Sequence, residues 1–543
     1  MAVDRMVDEI NRKYEKLLNY RNNWEHHWQE LADYLLPRKA DITKRRMQGS
    51  KRSERIFDST GIHAVELLAA HLQSMLTNVS MSWFTMGYRD RELAVDNEAN
   101  RWLQKCTELL DNAIDRSNFS LEIHELYFDL VVFGTGCLFI EYNNDGLHYS
   151  ARHISELAIS SNDKNQIDTV YRCFKLTARQ IAQKFPDATL PDRVKKDLEQ
   201  EPYNEHEVIH AVYPMTDMKT SLFNKPIMSC YYHKDSKGLL GKGGYDEFPF
   251  CVPRFNLDST SSMGFGRSPG MTCLPDVKMV NKMSEVSIKS AQKQLDPPLM
   301  CPDDGFFSPI RVTPGAINFY RAGTRDRLEP LQAGTNNPIA LNMEEQRRQA
   351  IRNAFYIDQL QLQDSPQMTA TEILARQEQQ MRSLGSVMGR LQHELLQPLI
   401  QRSFKLMLRN GQLPPPPEQL QGRNIDIEYV SPLAKAQKSM DLQTTMRGME
   451  IISGLSEGFP ALKDYIDERG LSEYLVEYAG LPAKVVRSDE EVAAIQEQRE
   501  EQQQQMMQQQ QEMMAAEKAQ KAAPMLKVMN DAATENPEDV PAA

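Results

Sequence analysis

Residues 368–411, MTATEILARQEQQMRSLGSVMGRLQHELLQPLIQRSFKLMLRNG, read as one helix too long for a small globule. Thr369 and Glu372 have the S/T-x-x-E spacing of a capping box, in which each side chain satisfies a main-chain donor left open by the first turn. Met368 and Ile373 flank that box as a hydrophobic staple. Met381, Leu384, Met388, Leu391, Leu395 and Leu399 then recur at steps of three and four, one apolar helix face. Asn410-Gly411 stops the helix. At ~1.5 Å per residue the stretch spans about 60 Å, about twice a small domain. Gly385 and Gly389 lower helix propensity and Pro398 deletes a hydrogen bond, so the expectation is a spine kinked at these three residues.

Such a spine needs other folded segments to pack on, and 543 residues with 41% apolar composition supply them. The 75 acidic and 63 basic residues leave a formal charge of -12. That excess argues against tight, nonspecific gripping of DNA phosphates, which needs clustered cations, but permits a surface past which DNA slides. Cys106, Cys137, Cys173, Cys230, Cys251, Cys273 and Cys301 are scattered singly, the pattern of reduced thiols in a cytosol-like compartment. The N-terminal residues are charged from the fourth position and lack a signal-peptide core, and no apolar run approaches membrane-span length.

Ile10, Tyr14, Leu17, Trp24, Trp28, Leu31 and Leu35 keep helical spacing up to Pro37, which predicts a long amphipathic first helix anchored by its tryptophans. Residues 38–55 carry eight cations (Arg38, Lys39, Lys44, Arg45, Arg46, Lys51, Arg52, Arg55) against Asp41 and Glu54. They read as a solvated basic loop, with contact to nucleic acid or an acidic neighbour as the alternative. Helices are expected at about 60–77, 96–116 and 121–133, followed by a hairpin around Asn144-Asp145-Gly146. Gly134 and Gly136 lack the third glycine of a dinucleotide fingerprint and receive a structural role. A helical segment at 177–201, broken near Pro186, leads into a strand-rich region at 208–255. Within it, Gly241-Lys242-Gly243-Gly244 lacks the spacing of a phosphate loop and is expected to be a hairpin tip.

Residues 275–295 predict a helix with Val277, Val280, Ile288, Ala291 and Leu295 on one side. Its other side carries Lys278, Lys282, Lys289 and Lys293, with Glu285 between them. Most stripes of this kind face water, yet this one is the best candidate in the chain for meeting a phosphate backbone. A helix at 338–356 then delivers the chain to the polar connection IDQLQLQDSPQ before the spine. Beyond it come a polyproline spacer at 414–417, a short strand at 424–430, several helices over 432–486 and a glutamine- and methionine-rich end, helical or disordered.

No catalytic constellation survives a check of spacing. His393-Glu394 lacks the second histidine of H-E-x-x-H, no G-x-S-x-G elbow occurs, and no cysteine has a motif tying it to a histidine. The expectation is a non-enzyme without cofactor or metal.

Three blocks carry a resemblance: DSTGIHAVELLAAHLQSMLTNVSMSWF (58–84), GFGRSPGMTCLPDVKMVNKM (264–283) with DPPL (296–299), and MTATEILARQEQQ (368–380). Together they resemble the head-to-tail connector, or portal, proteins of short-tailed bacteriophages, over about residues 10–490. The resemblance implies an α+β, predominantly helical portal fold with wing, stem, clip and crown, assembled as a ring, usually of twelve subunits. It implies a place at one capsid vertex of the virion, after synthesis in the host cytoplasm. Double-stranded DNA would pass through the ring, and the terminase large subunit, tail adaptor proteins, major capsid protein and scaffolding protein would be its partners, with no membrane. On that template, 1–204 is the N-terminal wing with a first stem segment at 177–201, 205–262 the clip and 263–298 the second stem helix. Residues 299–368 are wing strands, a helix and a tunnel loop with Gln359, Gln361, Gln363, Asp364 and Ser365; 369–411 is the spine, 412–488 the crown and 489–543 the tail. The physics agrees, since a ring needs head-to-tail interfaces that close by rotation and long helices offer a second face to a neighbour. Two other classes stay open: an internal core or tail-adaptor protein without a channel, and a nucleic-acid enzyme with an unrecognised site.

Overall fold

A computed structural model describes residues 2–44, 49–78, 82–88, 97–217, 225–257, 264–296, 338–360, 385–417, 427–430 and 445–452, with isolated positions elsewhere. The chain divides into two units, 1–89 with 105–432, and 90–104 with 433–543. In the second unit the described residues at 97–104 and 445–452 are helical.

The elements begin with α1 (Ala2–Leu35), α2 (Thr60–Leu76), β1 (Thr85–Tyr88), α3 (Asn97–Asp115) and α4 (Phe119–Phe133). The β-rich part is β2 (Leu138–Asn143), β3 (Gly146–Ala151), β4 (Leu157–Ser161), β5 (Ile167–Thr177), helices α5 (Ala178–Lys184) and α6 (Asp192–Gln200), then β6 (Glu205–Pro214), β7 (Ile227–His233), β8 (Leu239–Tyr245), β9 (Phe250–Cys251), β10 (Asn256–Leu257) and β11 (Gly266–Arg267). It is followed by α7 (Pro269–Leu295), β12 (Leu299–Met300), β13 (Glu329–Pro330), α8 (Pro338–Ala354), α9 (Ile357–Leu360), α10 (Gly385–Leu391), a π-turn (Gln392–Leu396), α11 (Gln397–Arg409) and β14 (Ile427–Val430). The fold is α+β and mainly helical.

One antiparallel meander, β4-β5-β6-β7-β8, organises the first unit. Side chains alternate across a strand, and here both faces are apolar. Tyr171, Ile209, Ala211, Tyr213, Met228, Cys230 and Tyr232 point to one face, where Met6, Val7, Ile10 and Tyr14 of α1 cover them. Phe174, Val208 and Leu240 point to the other, where Ile181 of α5 and Val194 of α6 cover them. The 177–201 segment is therefore two short helices lying on a sheet. Thr177 and Gln180 close a capping box at the first of them.

The division expected at residue 205 falls inside this sheet, because β5 pairs with β6 from Val170↔Val212 to Thr177↔Glu205. The expected hairpin tip at Gly241-Lys242-Gly243-Gly244 is corrected as well. These residues lie in β8, with Lys242 opposite Cys230, and ladder hydrogen bonds override the weak strand propensity of glycine.

The second half of α1 turns to the helices. Trp28 is fully buried, its ring centroid 6.0 Å from Trp24 and 5.0 Å, edge-on, from Phe265. The hairpin β2–β3 forms around residues 144–145, and β9 extends it to three strands. Gly134 ends α4 at φ 77, and a Cβ there would lie 2.6 Å from the Gly266 carbonyl oxygen. The structural role expected for it is a close passage of two backbones that only glycine allows. Gly411, φ 67, ends the described part of the spine.

In that part, Gly385 and Gly389 lie in regular helix. The departure is the π-turn ahead of Pro398, in which the Gln397 N–H reaches back to the Gln392 carbonyl. Proline has no N–H for the Glu394 carbonyl, and widening the ladder by one residue absorbs the loss. Thr369 and Glu372 lie outside the described residues.

Candidate nucleic-acid interface

The lysine-bearing helix α7 starts six residues before the predicted boundary. Ser268 caps it, accepting from the Met271 N–H at 2.9 Å and donating to the Val132 carbonyl at 2.7 Å, and Pro269 occupies the first helical position. The first half is core: Met271, Cys273, Leu274, Val277 and Val280 are buried, and the helix packs against α1, α4 and α8.

A polar layer comes next. Asn281, 7% exposed, accepts from the main-chain N–H of Phe57 (2.7 Å) and Asp58 (3.3 Å) and donates to the Arg55 carbonyl (2.9 Å), which ties the end of the basic loop to α7. Ser287 donates to Glu344 of α8 at 2.6 Å, and Arg347 pairs with Asp276 at 2.9 Å. Arg348 donates to Asp58 at 3.0 Å. Burial pushes the Asp58 carboxyl upward, but hydrogen bonds from Thr60 and Arg348 outweigh it and hold it below the usual range.

From Val286 onward α7 is exposed nearly all round. Ile288 (44%) and Leu295 (87%), expected on a buried side, are bare, as is Ala291. The four lysines are all exposed. Lys278 pairs with Glu30 of α1, and that hydrogen bond raises its pKa. Lys282 (2.8 Å) and Lys289 both pair with Glu285, one turn away on either side, and their hydrogen bonds push its carboxyl down to about 2. Lys293 stands in the exposed last turn. The stripe is one surface, but three of its four lysines already pair with carboxylates, Lys278 with Glu30 and Lys282 and Lys289 sharing Glu285.

Four of the eight cations of the basic loop are answered in the same way. Arg38 and Lys39 pair with Glu125, Lys39 also with buried Asp129, Arg46 with Asp33 and Arg52 with Asp41. Among the tunnel-loop residues, Gln359 lies in α9, while Gln361, Gln363, Asp364 and Ser365 lie outside the described residues.

Sequence reading missed Glu30, 248 positions from Lys278, and Asn281, for which no local pattern exists. It also missed the tie between Arg254 and Glu394. The Ser268-Pro269 pair was a legible signal for the true start of α7. Among the described residues no cluster of three or more histidine, cysteine or acidic side chains could hold a metal ion, and no helix is long and apolar enough to cross a membrane.

Residues 7–486 match the family described as bacteriophage head to tail connecting protein. A probable portal protein of Bordetella phage BPP-1 is 27% identical over 515 residues, covering 90% of this chain and 91% of the relative. The portal protein of Salmonella phage epsilon15 is 28% identical over 502 residues, covering 90% of each. A solved chain from the neck of an empty gene transfer agent particle superposes with a TM-score of 0.36 at 12% identity, covering 74% of this chain and 91% of that one. With the match spanning nearly the whole sequence, the chain belongs to the bacteriophage head-to-tail connecting protein family.

Proposed function

We infer that the protein is a phage portal, the virion component joining head to tail, and that it acts as a ring through which double-stranded DNA passes during packaging and ejection. The observation that carries this reading is the family match over residues 7–486, together with two relatives called portal proteins that align over 90% of the chain. The ring has twelve subunits, performs no catalysis of its own, and meets the terminase large subunit on one occasion and tail adaptors on another, with the major capsid and scaffolding proteins around it.

The exposed outer half of α7, apolar at Val286, Ile288 and Leu295, supports a stem helix that a neighbouring subunit covers. Burial of β6–β8 between α1 and the α5–α6 pair favours a wing role for that sheet. The clip is then better sought in residues 296–337, which join α7 to α8 and expose Met300, Ile317 and Phe319. Lys278, Lys282, Lys289 and Lys293 partly line the channel, the loop from Gln359 to Ser365 reaches towards DNA, and the crown follows residue 432.

Class averages of the purified full-length chain by electron microscopy test the reading. A twelvefold ring with an axial hole is expected. A different symmetry without a hole would move the protein to the adaptor class, and metal-dependent DNA cleavage would make it an enzyme.

A further inference from the structure

Arg152, just after β3, is a partly buried cation. Its Nε is sealed from solvent without a hydrogen bond, and among the described residues its guanidinium makes no ion pair. Buried polar groups are nearly always satisfied, and a desolvated charge is costlier still, so this one needs an explanation. Its nearest ring, Phe139, lies 5.9 Å from Cζ, at the outer limit of a cation–π contact.

Two further cations stand over the same wall of rings. Lys184, exposed at the end of α5, holds Nζ 5.2 Å from the Tyr231 centroid and 5.7 Å from Phe174, again without an ion pair among the described residues. Arg172 holds Cζ 3.9 Å from Phe174 and donates to Glu156 at 2.7 Å. The wall is continuous, because His210 stacks on Tyr231 at 3.9 Å and meets Phe139 edge-on at 5.9 Å. His210 is itself buried and held well below its usual pKa by desolvation and by these three cations, so it adds no charge. The acids in reach are Glu156, already paired, and Glu141, which also faces His148 at 4.0 Å. Three cations against two carboxylates leave one positive charge unanswered.

We propose that Arg152, Lys184 and Arg172 form a docking site for a carboxylate side chain of an acidic polypeptide segment. A guanidinium offers the planar fork that a carboxylate fits, and the ring faces of Phe174 and Tyr231 accept its apolar neighbours. One surplus charge matches one carboxylate. It does not match duplex DNA, whose phosphates arrive every ~1.7 Å of axis and call for a track of cations. The site is independent of the lysine stripe and of any channel.

The test is fluorescence anisotropy of the full-length protein with a fluorescein-labelled peptide alternating leucine and glutamate, against the same peptide with glutamine. Binding of the glutamate peptide is expected to weaken at least about tenfold in Arg152→Met and in Lys184→Met, and to be unchanged in Lys289→Met. Arg152→Met should also keep or raise the melting temperature, because it removes a desolvated charge. Equal binding of the glutamine peptide, or unchanged binding in both variants, would overturn the proposal. Displacement of the peptide by a short DNA duplex would reassign the site to nucleic acid. If Arg152→Met does not fold, the exposed Lys184→Met decides the matter alone.

Discussion

Glu394 sits in the π-turn of the spine and accepts three hydrogen bonds from a single residue. Arg254 donates its main-chain N–H at 2.9 Å and its Nε at 3.2 Å to Oε2, and its Nη2 at 2.7 Å to Oε1. Arg254 is 3% exposed, and its remaining contacts go to Asn165, at 3.1 Å to Oδ1 and 2.7 Å to the carbonyl. Glu394→Ala therefore strands a buried guanidinium and a main-chain N–H together. Breaking a buried pair on one side costs about 3–5 kcal/mol. At ~2.1 cal/mol/K of unfolding entropy per residue, the unit spanning 1–89 and 105–432 loses about 1 °C per kcal/mol, so melting followed by circular dichroism should fall by about 3–6 °C. The double replacement Arg254→Met with Glu394→Leu removes both charges and should recover most of that loss, since well-packed apolar pairs are as stable as buried ion pairs or more so. Hydrogen exchange should localise the damage of the single variant to 250–256 and 392–400. A single variant that loses less than about 1 kcal/mol, or a double variant that melts as low as the single, would refute the pair as the tie between spine and sheet.

Gly134→Ala adds a Cβ 2.6 Å from a carbonyl oxygen at φ 77, whereas Gly146→Ala, φ 115, meets nothing within 4 Å. Both bear a backbone penalty on the order of 1–3 kcal/mol, and only the first adds a clash, so thermal melts should rank it clearly lower. His210, held neutral in the fold, binds a proton more readily when unfolded, so stability falls as pH drops below about 6.5 towards its depressed folded pKa, by up to ~1.4 kcal/mol per pH unit. His210→Phe, which preserves stacking on Tyr231, should flatten that slope in melts between pH 6.5 and 4.5. Replacing Lys278, Lys282, Lys289 and Lys293 together by glutamine should leave rings intact in micrographs but alter DNA packaging or retention; unchanged packaging would return the stripe to a solvated face. Glu285→Gln acts in the opposite sense. It releases Lys282 and Lys289, so DNA binding should tighten at low salt and its log–log salt slope should steepen by up to about 2.

What could be read from the sequence was local. The period of α1, the turn at Asn144-Asp145-Gly146 and the stop at Gly411 each depend on residues within a turn or two, and each stands where its residues put it. The misreadings share a cause. Gly241-Lys242-Gly243-Gly244 has the composition of a tip, yet its conformation is set by β7, a partner strand chosen by the whole sheet. Ile288 and Leu295 continue the apolar side of α7, but one chain offers them no cover, because periodicity marks a face without saying what lies against it. Pro275 read as a boundary, yet the stronger signal was the Ser268-Pro269 cap. Glu30 and Glu394 are ordinary surface glutamates by sequence, and only the fold brings them to Lys278 and Arg254.

The glutamates also decide what the lysine stripe can do. A free row of four cations would hold a phosphate backbone in register, and every hold must break for DNA to move. With Glu30 and Glu285 in place, a phosphate approaching Lys278, Lys282 or Lys289 exchanges one exposed ion pair for another, and such pairs differ by at most about 1 kcal/mol. Glu285 remains ionised down to about pH 2, so the exchange operates throughout the physiological range. If the stripe lines the channel as proposed, the surface would attract DNA without retaining it, which is the property a conduit requires and a grip does not.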